Sequence, residues 1–214
     1  MFDRAKVSPL VAEFLGAAIW AYVALVLSET TAVSYFIATS VAVAVAVSFV
    51  LFGWVSGGHF NPAITFGMWT ARKIGTLRTV AYIVAQLIGG LAAWQLYQYF
   101  TNHSVATKTS HFSAQIWLAE LVGTAVVAMA YAAAASKKLD SMQTALTIGA
   151  SLFVGIIVAA TASAGILNPA VALGMRSFDT AYIVGPLLGG LLGINLYNMI
   201  FVGTTPKVVR KTKV

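Results

Sequence analysis

The sequence predicts an all-α membrane protein: six transmembrane helices plus two re-entrant half-helices, arranged as an inverted repeat. Three observations carry this expectation. Hydrophobic residues make up 59% of the 214 and charged residues only 9%, against about 25% charged in a soluble domain. Six apolar runs each approach the ~20 residues needed to cross a ~30 Å hydrocarbon core. The tripeptide Asn-Pro-Ala occurs twice, in "SGGHFNPAITFG" at 56–67 and "GILNPAVALG" at 165–174.

The six runs fall near residues 7–28, 33–54, 79–100, 113–135, 142–162 and 180–202. The first is read as a helix and not a secretory signal, because a near copy of it recurs in mid-chain. That copy is visible when "AEFLGAAIWAY" from residue 12 is set above "AELVGTAVVAMAY" from residue 119. Glu13 and Glu120 stand 107 residues apart, as do Asn61 and Asn168, while "AYIVAQLIGG" at 81–90 returns as "AYIVGPLLGG" at 181–190. The whole chain, 1–214, is therefore one transmembrane domain, with repeat one at about 7–101, repeat two at about 112–203 and a basic tail at 204–214. Each half holds three crossings, so the second enters the membrane from the opposite side, an arrangement that places functional sites at the midplane.

Each Asn-Pro-Ala opens an apolar segment of about ten residues, Asn61–Thr70 and Asn168–Ser177. At 1.5 Å per residue such a segment covers ~15 Å, half of the core, so two meeting tip to tip make one further crossing. Asparagine is a preferred N-cap and proline a preferred first residue, so both helices are expected to start at mid-membrane. The residues leading into them are then non-helical at membrane depth, which requires cover by protein or a water-filled cavity.

Basic residues write the topology. Arg4, Lys6, Arg72, Lys73, Arg78, Lys137, Lys138, Lys207, Arg210, Lys211 and Lys213 cluster on one side, leaving Lys108 and Arg176 for the other. By the positive-inside rule both termini are cytoplasmic. The net charge of +7 thus reflects membrane orientation, and no nucleic-acid partner is expected. Cysteine is absent, which excludes disulfides, thiol catalysis and Cys-ligated metal. No nucleophile–base set, metal-ligand cluster or phosphate loop stands out, so no enzyme, cofactor or metal is expected. The paired glycines Gly89-Gly90 and Gly189-Gly190, like Gly16 and Gly123, are read as close helix packing.

The double Asn-Pro-Ala, the paired "AEF" and "AEL" helices and "SGGHFNPA" resemble the aquaporin, or major intrinsic protein, family over essentially all 214 residues. That resemblance implies a right-handed bundle of six tilted helices and two half-helices, four pores in a homotetramer, and passive flow of water or small neutral solutes through a plasma-membrane channel. It assigns Asn61, Pro62, Ala63, Asn168, Pro169 and Ala170 to the pore centre, where amide donors and converging helix dipoles disfavour cations. It gives Glu13 and Glu120 a supporting role, accepting hydrogen bonds from the loop backbones, and makes His59 a vestibule residue. Loop carbonyls around 57–60 and 165–167 are expected to offer acceptors toward each mouth.

Departures bear on selectivity. Where most of the family places an arginine after the second Asn-Pro-Ala, Val171 stands, and by the family's spacing the other filter positions are Val41, Ile156 and Gly165. A filter without guanidinium or aromatic ring implies a wider opening, resembling plant vacuolar-type members, with ammonia, hydrogen peroxide, urea and glycerol as candidate solutes. Ala172 replaces the aspartate of glycerol facilitators, although Arg176 matches their basic position. Two other readings share the architecture: a secondary transporter with inverted repeats, and a non-conducting structural membrane protein of the same fold.

Overall fold

The apolar runs form long helices in a computed structural model of the chain, which describes residues 4–108 and 113–203. In chain order the helices among the described residues are α1 (Arg4–Thr30), α2 (Ser34–Ser56), α3 (Pro62–Thr70), α4 (Thr76–Thr101), α5 (Ala114–Lys137), α6 (Ser141–Ala159), α7 (Pro169–Gly174) and α8 (Thr180–Phe201). All but α3 and α7 are long and apolar enough to cross a bilayer, which makes six spans. No strand occurs among the described residues. The basic tail expected at 204–214 lies outside them.

Helix starts follow local capping chemistry. Asp140 and Gln143 form a reciprocal capping box at α6, and the Asp179 carboxylate accepts the Ala181 and Tyr182 N–H groups at α8, each satisfying donors that a first turn leaves free. Ends are equally specific: α2 passes through a π-turn at Phe49–Gly53 and stops at Gly57, whose φ of 97° needs a residue without Cβ. α3 and α7 both finish with an arginine in the left-handed region, Arg72 at φ 57° and Arg176 at φ 59°. The Lys73 N–H then reaches back to the Met68 carbonyl and the Ser177 N–H to that of Ala172.

The second short helix was expected to continue to Ser177, yet it has six residues and ends at Gly174. The following loop is held from outside. The Arg176 carbonyl accepts the Lys108 N–H at 2.8 Å, its guanidinium donates to Thr107 Oγ1 at 2.7 Å, and it lies 4.4 Å from the Trp94 ring centre. These contacts draw the chain off the helical path toward the segment after α4.

Long-helix packing is organised in matched pairs, α1 with α4, α5 with α8, and α2 with α6 joining them. The short helices cross over: α3 packs mainly on α8, and α7 mainly on α4. This crossing requires close approach at two contacts, where Gly67 of α3 also meets the Gly190 carbonyl and Gly174 of α7 that of Gly90. A Cβ on Gly90 would collide with the Ala170 carbonyl, and one on Gly190 with that of Ala63. Gly89 and Gly189 serve the long-helix pairs instead, facing the Phe14 and Leu121 carbonyls. Gly90→Ala and Gly190→Ala are therefore expected to lower stability in thermal unfolding by about 1–3 kcal/mol, the usual range for overpacking. Gly75→Ala, with nothing within 4 Å of the added carbon, should unfold like the wild type.

Candidate functional site

Both short helices begin on the asparagines singled out by the sequence. The Asn61 side-chain oxygen accepts the Ala63 N–H at 2.8 Å, and that of Asn168 accepts the Ala170 N–H at 2.9 Å. Pro62 and Pro169 occupy the first helical position, where a missing N–H costs nothing. The amide nitrogens then cross over. Asn61 Nδ2 donates to the Leu167 carbonyl at 2.9 Å, and Asn168 Nδ2 donates to the Phe60 carbonyl at 3.0 Å. Each helix tip is thus tied to the residue just before the other tip. Each amide carries two N–H groups, so each keeps one beyond this tie.

The residues accepting those bonds sit in the left-handed region, Phe60 at φ 50° and Leu167 at φ 56°. For side chains of this size that conformation costs on the order of 1–3 kcal/mol. The carboxylates of α1 and α5 offset it. Glu13 accepts the N–H groups of His59 and Phe60 at 2.9 and 2.6 Å, and Glu120 those of Ile166 and Leu167 at 3.0 and 2.7 Å. At about 1.5–3 kcal/mol for each hydrogen bond to a charged group, two such bonds exceed the backbone cost of one left-handed residue. Gly16 and Gly123, one turn on from each glutamate, leave room for the Phe60 ring and the Leu167 side chain.

The carbonyls expected to face outward are partly committed. Phe60 and Leu167 accept the asparagine amides, and the Tyr131 hydroxyl donates to Gly58 at 2.7 Å and to His59 at 3.3 Å. No donor among the described residues reaches the carbonyls of Gly57, Gly165 or Ile166. The free acceptors are fewer than the sequence suggests, and two of the three lie in the second half.

Val41, Ile156, Gly165 and Val171 border a single cavity of about 290 Å³. Val41, Ile156 and Val171 are at most 3% exposed, so all three face the interior and not lipid. Trp20 and Met175 border it as well and were not anticipated. A signal existed: Trp20 lies two turns beyond Glu13 on one helix face, and Met175 one turn beyond Val171. Arg176 does not border this cavity, being held over Trp94.

His59 is buried on the opposite side of the asparagines, its ring between Tyr82 and Tyr131. Its Nδ1 is 3.1 Å from Thr65 Oγ1, which also accepts a 2.8 Å bond from Gln86 Nε2. Gln86 Nε2 donates to Glu13 as well, at 2.7 Å. This buried Glu13–Gln86–Thr65–His59 chain has no counterpart in the second half, where the matching positions are Pro186, Ala172 and Ile166. The sequence reading missed it because Thr65 and Gln86 are unremarkable until α3 and α4 are packed together.

Comparison with known proteins agrees with this geometry. The family model described as Major intrinsic protein matches residues 3–197. Aquaporin TIP2-1 of Arabidopsis thaliana is 36% identical over 188 residues, covering 78% of this chain and 75% of its own. Probable aquaporin TIP-type RB7-18C of Nicotiana tabacum is 37% identical over 183 residues, covering 76% and 73%. Among solved structures, that of the aquaglyceroporin from Plasmodium falciparum superposes with a TM-score of 0.77 at 17% identity, covering 91% of this chain and 96% of its own.

Glu120→Gln tests the loop support. One of the two buried N–H groups then faces an amide NH₂ or a neutral oxygen, and a loss of about 1.5–3 kcal/mol is expected in denaturant unfolding. Osmotic water flux of the variant in proteoliposomes should fall with it.

Proposed function

The chain belongs to the major intrinsic protein family, and from that premise we propose that it is a passive channel for water and for small neutral solutes such as ammonia, hydrogen peroxide, urea and glycerol, closed to protons and ions. The observation that carries the reading is the mutual tie of Asn61 and Asn168, which brings two helix N-termini and two spare amide N–H donors to one point inside the bundle. A permeant there meets donors and two positive dipole ends, which disfavours a cation. The coupled-transporter alternative is not favoured. The two buried carboxylates it would need, Glu13 and Glu120, are both occupied holding loop backbone.

The outer filter is assigned to Val41, Ile156, Gly165 and Val171, with Trp20 and Met175 beside them. It offers the Gly165 and Ile166 carbonyls as acceptors and no cationic donor, so solute size sets the limit. Arg176 does not stand in for the family's filter arginine, since its guanidinium is engaged by Thr107 and Trp94. We further propose a homotetramer in the cell membrane with both termini cytoplasmic, the basic clusters at 4–6, 72–78 and 137–138 marking that side.

Stopped-flow shrinkage of proteoliposomes tests the proposal. Wild-type protein is expected to accelerate osmotic water flux without any ion gradient and to pass urea and glycerol above the level of empty liposomes. Val171→Arg should reduce solute flux more than water flux, because the guanidinium narrows the cavity and adds a fixed charge. Urea and glycerol fluxes equal to those of empty liposomes in the wild type would contradict the open filter.

A further inference from the structure

A second cavity, of about 670 Å³, lies on the His59 side of the asparagines. Among the described residues its border carries two cationic side chains, Lys73 and Arg78, together with His59 and the first residues of α4, and no acidic residue. Neither Lys73 nor Arg78 has an ion-pair partner among the described residues. α4 has 26 residues, and its N-cap, Gly75, supplies no side-chain hydrogen bond to the first turn. Thr76, at the same end, accepts the Trp69 indole N–H on its hydroxyl oxygen and keeps its own proton to donate.

His59 supplies an independent observation. It is 5% exposed, and its Nδ1 is taken by Thr65. Its Nε2 has no partner among the described residues and sits on the side of Gly57, which borders the same cavity. The positive-inside rule accounts for the sign of the charge at this face. It does not account for two unpaired cations, an uncapped helix N-terminus and a buried imidazole edge opening on one concavity.

We propose that this inner mouth binds a phosphate group, the chemistry that matches unpaired cations, free backbone N–H groups at a helix N-terminus and neutral donors together. Lys73 and Arg78 hold the anionic oxygens at the rim, the N–H groups of the first α4 turn donate to the helix-side oxygens, and His59 marks the depth of the funnel. The site rests on the channel reading only in that the cavity is then the cytoplasmic entrance. Binding itself does not depend on conduction.

Calorimetric titration of inorganic pyrophosphate into the full chain in phosphatidylcholine nanodiscs tests this. Saturable binding that weakens with ionic strength is expected, and Lys73→Gln/Arg78→Gln should weaken it about tenfold or more, through lost charge-assisted hydrogen bonds. Lys137→Gln/Lys138→Gln removes equal charge from the same membrane face away from the cavity and should bind like the wild type. Phosphatidic acid in the nanodisc separates the two sources: suppression of pyrophosphate binding points to a lipid headgroup, and unchanged binding to a free phosphate. Absence of saturable binding, or equal weakening in the two double variants, overturns the proposal. Water flux of the same purified variants in proteoliposomes reports separately on folding and on the channel reading.

Discussion

Everything in this fold is arranged around two hydrogen bonds, Asn61 to the Leu167 carbonyl and Asn168 to that of Phe60. Two helix N-termini carry like partial charges and unpaired N–H groups, so bringing them together inside a membrane is unfavourable unless something holds them. The asparagines do so by capping their own helix with one atom and fastening the opposite loop with the other. That geometry forces Phe60 and Leu167 into left-handed backbone, which in turn demands the carboxylates of Glu13 and Glu120 behind them and bare glycine beneath them. It also sends α3 onto α8 and α7 onto α4, where glycine on both sides, Gly67 with Gly190 and Gly174 with Gly90, allows the approach. Glutamates, glycines and crossing helices are consequences of one central contact.

The two halves share this scaffold and differ in what they place beside it. The first half adds Gln86, Thr65 and His59, a polar chain leading from Glu13 to the cavity edged by Lys73 and Arg78. The second half substitutes Pro186, Ala172 and Ile166, and its cavity is walled by Val41, Ile156 and Val171. One cavity is therefore edged by cations, while the other has no charged side chain on its border among the described residues and pairs apolar walls with the hydroxyls of Ser28, Thr31, Ser34 and Ser163. A scaffold with near two-fold symmetry supports an asymmetric path, because the tie needs only Asn, Glu and Gly to recur.

The features that recur were the ones legible in the sequence. Six spans follow from hydropathy, the two short helices from Asn-Pro, and the paired glutamates from the rarity of carboxylates in apolar runs. What could not be read depends on partners distant in the chain. α7 stops at Gly174 because Thr107, Lys108 and Trp94 hold Arg176, and no local signal near 174 announces this. The loop carbonyls looked free because their donors, Asn61, Asn168 and Tyr131, lie 72 to 108 residues away in sequence. Trp20 and Met175 were within reach of simple helical spacing, counted from Glu13 and Val171.

The most direct test of the central contact is a double-mutant cycle on Asn61→Ala and Asn168→Ala, read as unfolding free energy and as water flux in proteoliposomes. Each change removes its own cap, worth ~1 kcal/mol, together with one arm of the tie. If the arms depend on each other, the double variant loses less stability than the two single variants together, by about 0.5–3 kcal/mol, and either single variant already loses most of the water flux. Strict additivity, with flux retained in both single variants, would contradict the account.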